Sequence, residues 1–213
     1  MTLIRRGEFQ IIEYLKARSK AADGLIFGIG DDCAVARISA DEELLTTADL
    51  LAEGVHFNLD WTDLRQLGRK AVSVNISDLA AMGARPRFLF LSLALPDTLN
   101  VDQIDQFLDG LLQACENYGV ALAGGDTCRS AAGLIISVSA QGTASKGASI
   151  MRSGARPGDL LFVTGSLGDS ALALHHLQAD RKPDPFLLAR HLDPTSRVDC
   201  ALALTLAAPP TAM

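Results

Sequence analysis

Five of the 25 acidic residues sit where carboxylates can act together. Asp31 and Asp32 close a tight polar turn, Gly28-Ile29-Gly30-Asp31-Asp32. Asp49 ends a β-type run that begins at Glu43, and Asp126 directly follows the paired glycines Gly124-Gly125. Asp78 belongs to a helical stripe in which Leu67, Ala71, Val74, Asp78 and Ala81 recur at spacings of four and three, so all five share one face. That places a carboxylate on the side of a helix that should be buried. Such a group needs a countercharge, because an unpaired buried carboxylate costs several kcal/mol or takes up a proton. Arginine or lysine would serve. A divalent ion shared with other carboxylates would serve better, and oxygen ligands of this kind select hard ions such as Mg²⁺. Each aspartate also has a plainer reading: turn residue for Asp31 and Asp32, cap or loop for Asp49, half of an internal ion pair for Asp78.

The familiar nucleotide motifs fail. Gly28-Ile29-Gly30-Asp31-Asp32-Cys33 begins like G-x-G-x-x-G but lacks the third glycine. The run from Gly142 to Ser149 has P-loop glycine spacing, yet Ala148 stands where the mechanism needs lysine. No protein-kinase signature set is present. Glycines 28, 30, 124 and 125 still leave backbone N–H groups free to approach phosphates closely.

The elements that must position these residues alternate between strands and helices. Residues 8–19 carry Phe9, Ile12 and Leu15 at helical spacing. Short strands are predicted at 25–27, 33–38 and 43–47, and a long helix over 63–84 is stopped by Gly83 and Pro86. The apolar run 88–95 suits a strand buried on both faces. A helix over 101–118 is capped by Gly119, a short strand over 120–123 leads into Gly124-Gly125-Asp126, and another strand spans 134–143. Residues 144–158 read as a connection. A strand at 159–165 then opens a second unit with helices near 169–178, 185–191 and 197–207. The expected fold is a layered α/β (α+β) domain: an N-terminal mixed sheet with helices on one face, followed by the beginning of a second α+β domain. The division falls at 1–146 and 147–213. About 60 residues with one clear strand are thin for an independent core, so the second domain is expected to be incomplete.

Bulk properties narrow the classes. The chain has 213 residues, 48% of them hydrophobic, enough for a sizeable core. A net charge of -6 with scattered basic residues argues against nucleic acid as a partner. No stretch approaches the ~20 apolar residues of a membrane span, and charges interrupt the N-terminal segment as they would not in a signal peptide. Cys33, Cys115, Cys128 and Cys200 form no C-x-x-C pair and read as small packing residues in a reducing compartment, so a cytoplasmic location is expected.

Taken in order, a set of segments resembles the thiamine-monophosphate kinase family of the aminoimidazole-ribonucleotide-synthetase-like superfamily. They are Gly7-Glu8-Phe9, Gly28-Ile29-Gly30-Asp31-Asp32-Cys33-Ala34, Thr46-Thr47-Ala48-Asp49 and Gly54-Val55-His56-Phe57. They continue with residues 74–84 (VNISDLAAMGA), Gly124-Gly125-Asp126-Thr127, residues 152–159 (RSGARPGD) and Val163-Thr164-Gly165. The resemblance implies ATP-dependent phosphorylation of thiamine monophosphate to thiamine diphosphate, with several Mg²⁺ ions and ATP as co-substrate. It implies that Asp32, Asp49, Asp78 and Asp126 hold the ions, assisted by Thr47 and the backbone of Ala48. It further implies that Gly125, Asp126 and Arg152 contact ATP and that His56 touches the phosphorylated substrate. His175, His176 and His191 carry no such implication. No general base is nominated, because a phosphate oxygen is already deprotonated near neutral pH. Family members form dimers by pairing their N-terminal sheets.

Two departures accompany the resemblance. Ala48 stands where the family usually has a hydroxyl residue. The family's later Ile-Asp-x-Ser-Asp-Gly and Gly-Gly-Glu-Asp-Tyr motifs are not found, so the chain is expected to be an N-terminal part with at most residual activity. The alternatives are another ATP-using enzyme of the superfamily, such as a selenophosphate or aminoimidazole ribonucleotide synthetase, and a non-catalytic nucleotide-binding module. Gly54-Val55-His56-Phe57, and the lack of a cysteine before Cys33, favour the thiamine enzyme over the selenium one.

Overall fold

The computed structural model of the chain describes residues 25–28 and 30–213. The predicted helix over 8–19 lies outside them. Six strands form one mixed sheet: β1 (Leu25–Phe27), β2 (Ala34–Arg37), β3 (Glu42–Ala52), β4 (Arg85–Pro96), β5 (Ala121–Ser130) and β6 (Ile135–Ser145). Their order is β1-β2-β3-β6-β4-β5, with every neighbour antiparallel except β4 and β5, which run parallel.

Two long helices, α1 (Leu64–Ala81) and α2 (Val101–Tyr118), cover one face of this sheet. Asp63 caps α1 by accepting the amide of Gln66 at 2.7 Å. Asn100 and Gln103 form a reciprocal capping box on α2. At the other end of α2, Gly119 takes the left-handed conformation at φ 63°, where a side chain would be strained. The helices cross at two glycines. A Cβ on Gly68 would lie 2.1 Å from the carbonyl oxygen of Phe107, and one on Gly110 would lie 2.0 Å from that of Arg65. The core fills the space between helices and sheet with Leu67, Ala71, Ile76 and Leu79 from α1, Leu111 from α2, and Leu45, Leu89, Ile136 and Val138 from the strands.

Three expectations need correction. The run 88–95 is not buried on both faces: Leu89, Leu91 and Leu93 point into the core, whereas Phe88 and Phe90 are 43% and 37% exposed on the free face. No described element covers that face, so the sheet keeps the period-2 alternation of one-sided burial. Secondly, Gly124-Gly125-Asp126 does not follow a strand but lies within β5, an exposed edge strand that tolerates glycine. Asp49 likewise lies inside β3, which runs on to Ala52. Thirdly, residues 159–165 form no strand. Leu161 and Phe162 are 98% and 88% exposed, and no described strand lies beside them to complete a ladder.

Beyond β6, a short 3₁₀ turn, Arg152–Gly154, precedes helices α3 (Asp169–Gln178), α4 (Pro185–Leu192) and α5 (Val198–Ala207). Buried Glu43 of β3 fastens the connection by accepting the amide of Gly147 at 2.9 Å and the hydroxyl of Ser149 at 2.7 Å. The helical segment docks on the outer side of α1 and α2. Arg69 clamps both oxygens of Asp193, and the Tyr118 hydroxyl accepts the amide of Ser196 at 2.9 Å. No helix among the described residues is long and apolar enough to cross a membrane.

Candidate active site

Alternation along β3 turns Thr47 and Asp49 toward α1, and the helical stripe of α1 brings Asp78 up to meet them. The Thr47 hydroxyl donates to Asp78 Oδ2 at 2.7 Å. Strand β2 pairs with β3 only as far as Thr46. Ala48 faces the opposite side of the sheet and is exposed there. A hydroxyl at position 48 would therefore point away from the carboxylates, so the departure at Ala48 removes nothing from this cluster.

The turn after β1 supplies Asp32. Its carboxylate accepts the Arg152 Nε at 3.2 Å and also pairs with Nη2 of the same guanidinium. Arg152 reaches it from the 3₁₀ turn, so residues 120 positions apart are in contact. Cys33 lies behind this turn, its amide directed at the sulfur of Met82 at 3.1 Å. Burial, followed by the charges of Asp78, Asp32 and Asp31, pushes its thiol up to about 12, so it stays neutral and acts in packing.

Electrostatics tie the group together. Asp78 is raised to about 6, first by burial, then by the charges of Asp49 and Asp32, while the Thr47 hydrogen bond and Arg152 act in the opposite direction. Asp49 is also raised, by burial, with His56 opposing. The charges of Asp49 and Asp32 both disfavour a charge on Asp78, and a cation placed among the three would relieve this. Among the described residues no three acidic, histidine or cysteine side chains form a closed single-ion cage. Mg²⁺ does not demand one: it keeps several waters and is held by one or two carboxylates together with phosphate oxygens. The donor set fits that mode of binding.

His56 lies in the tight turn after β3. Its Nδ1 accepts the amide of Ala52 at 3.1 Å, so in the neutral ring the proton sits on Nε2, which is left as an outward donor. Gly54, at φ 78°, provides the left-handed step that this turn requires.

Asp126 is not part of this assembly within one copy of the chain. It pairs in register with Ser92, whose neighbours Phe88 and Phe90 share the free face, whereas Asp49 aligns through Val138 with buried Leu91. Asp126 thus lies on the side of the sheet away from Asp49 and Asp78, its Oδ1 accepting the amide of Thr127. Gly125, at φ 155°, approaches β4 so closely that a Cβ would fall 1.7 Å from the Leu91 carbonyl oxygen. Nothing in the sequence signalled the Arg152–Asp32 pair, which joins residues 120 positions apart.

A one-faced mixed sheet with a carboxylate cluster at the turn and strand facing its first long helix defines a class. Residues 30–144, more than half of the chain, match the model of the AIR synthase related protein N-terminal domain, and the chain belongs to that family. Within it, the chain is similar to thiamine-monophosphate kinases. It is 40% identical to that of Haemophilus influenzae over 205 residues, covering 93% of this chain and 61% of the relative. It is 41% identical to that of Escherichia coli K12, covering 90% and 60%. The solved structure of AaThiL complexed with AMPPCP and TMP superimposes with a TM-score of 0.84 at 37% identity, covering 96% of this chain and 64% of that one. The chain thus spans about three fifths of the length of these relatives.

Proposed function

We propose that this chain carries the cation- and nucleotide-binding part of an ATP-dependent kinase that converts thiamine monophosphate to thiamine diphosphate. The observation that carries the reading is the meeting of Asp32, Thr47, Asp49 and Asp78 beside Arg152, in a chain about two fifths identical to such kinases. Asp32, Thr47, the Ala48 backbone, Asp49 and Asp78 would hold Mg²⁺, whereas Asp126, across the sheet from them, would meet a cation only through another part of the bound nucleotide. When bound, the ions supply the positive charge that phosphoryl transfer requires on the transferring group. Arg152, Gly125 and Asp126 contact ATP, and His56 offers Nε2–H to the phosphorylated acceptor. The protein's own work is alignment and charge placement, since the acceptor phosphate oxygen needs no base.

Asp126 on the free face ties the reading to a homodimer. Leu50, Phe88 and Phe90 leave that face apolar and without a described cover, and a second copy packed there would cover it and place Asp126 at the interface. Residues 147–213 begin a second unit, in keeping with the uncovered apolar run 160–163. The free thiols Cys33, Cys115, Cys128 and Cys200 accord with a cytoplasmic setting.

The test is turnover. The chain is incubated with ATP, Mg²⁺ and thiamine monophosphate, and in parallel with hydrogen selenide or formylglycinamidine ribonucleotide as acceptor. Thiamine diphosphate formed at a residual rate, only with Mg²⁺, and lost in Asp49→Asn, is the expected result. Consumption of either other acceptor instead would overturn the choice of substrate.

A further inference from the structure

Two adjacent carboxylates share the turn after β1, and they are placed differently. The Asp32 side chain is 17% exposed and faces the Arg152 guanidinium. The Asp31 side chain is 3% exposed and faces main chain. Its Oδ1 accepts the amide of Asp32 at 3.0 Å, and its Oδ2 accepts the amide of Arg152 at 3.2 Å. Arg152 Nε lies 3.6 Å from Oδ1. Both oxygens are therefore committed to the backbone at two points 120 residues apart in sequence, Asp32 and Arg152. A hydrogen bond to an ionised carboxylate is stronger than one between neutral groups, because the acceptor carries the charge. The 3₁₀ turn that carries Arg152 has no side-chain cap of its own, so Asp31 is its anchor.

We propose that Asp31 is a positioning residue for Arg152 and not a cation ligand, an inference that rests on the functional reading above. Asp31 fixes the Arg152 backbone to the turn that presents Asp32. The guanidinium is thereby held at the rim of the Asp32, Asp49 and Asp78 cluster, where the phosphates of a cation-bound nucleotide would lie. Without the anchor the carboxylate cluster keeps its cations, but the guanidinium loses its fixed place and the nucleotide loses a partner.

The experiment compares wild type, Asp31→Asn and Asp32→Asn in the full chain by three readouts: amide exchange of Arg152 by NMR, Mn²⁺ stoichiometry by electron paramagnetic resonance, and affinity for a non-hydrolysable ATP analogue. Asp31→Asn is nearly isosteric. It is expected to speed Arg152 amide exchange about tenfold and to weaken the analogue about tenfold, while Mn²⁺ stoichiometry stays at the wild-type value. Asp32→Asn is expected to lose Mn²⁺ and keep the Arg152 amide protected. Loss of a Mn²⁺ equivalent in Asp31→Asn, or unchanged Arg152 exchange or analogue affinity, overturns the proposal. An unprotected Arg152 amide in wild type overturns it too, even where Asp31→Asn does not fold. A wild type that binds neither Mn²⁺ nor nucleotide defeats the kinase reading instead, and the exchange arm still judges the anchor.

Discussion

Asp78 joins the fold to the chemistry, because the same burial that stabilises α1 strains its carboxylate. Its folded value of about 6 lies above its ordinary 3.8, so the folded protein holds this proton more tightly than the unfolded chain does. The stabilisation is fully present below the ordinary value and is lost as pH rises through about 6. Without divalent ions, Asp78→Asn should therefore be more stable than wild type at pH 7.5, by about 2 kcal/mol once solvent screening is allowed for, and should show no advantage near pH 4. Chemical denaturation at the two pH values checks this. Saturating Mg²⁺ should erase the difference by stabilising the wild-type carboxylate. Asp78 was legible in the sequence because helical periodicity alone fixes its face. The Arg152–Asp32 contact was not, because no local pattern links residues 120 apart. Asp126 was read as a partner of Asp49 and Asp78 from its strand and glycines. Which face it takes depends on pairing with β4, where the register shifts between Leu89 and Phe90.

At the level of elements, α1 can present Asp78 to β3 only if α2 holds it down, and that contact runs through Gly68 and Gly110. Alanine at either position would push a methyl group into a backbone carbonyl, at 2.1 Å and 2.0 Å respectively. Each substitution should cost about 1–3 kcal/mol or more, seen as a lowered melting temperature, although alanine has the better helix propensity. Retained stability would mean that the helices cross elsewhere. The end of α2 was readable from the sequence because Gly119 is a local signal. Strand ends were less so. Paired glycines look like a turn, yet an edge strand beside a register shift absorbs them, so β5 runs through Gly124 and Gly125 to Ser130. The run 159–165 shows the converse: strand propensity with no described edge beside it yields no strand.

At the scale of the whole molecule, helices cover one sheet face and no described element covers the other. Phe88 and Phe90 were read as core because their run is apolar throughout; a single sequence does not show which side of a strand a neighbour covers. If the open face is a dimer interface, Phe90→Asp should give a monomer by sedimentation velocity without unfolding, whereas the wild type sediments as a dimer. A monomeric wild type would remove the second copy from the reading. The central claim, however, is that carboxylates from a turn, a strand and a helix jointly hold divalent cations that grip a triphosphate. Isothermal titration of a non-hydrolysable ATP analogue, with and without Mg²⁺, into wild type and Asp78→Asn tests it most directly. Binding is expected only with Mg²⁺ and at least tenfold weaker in Asp78→Asn. Equal binding with and without Mg²⁺, or equal binding by the two proteins, would contradict it.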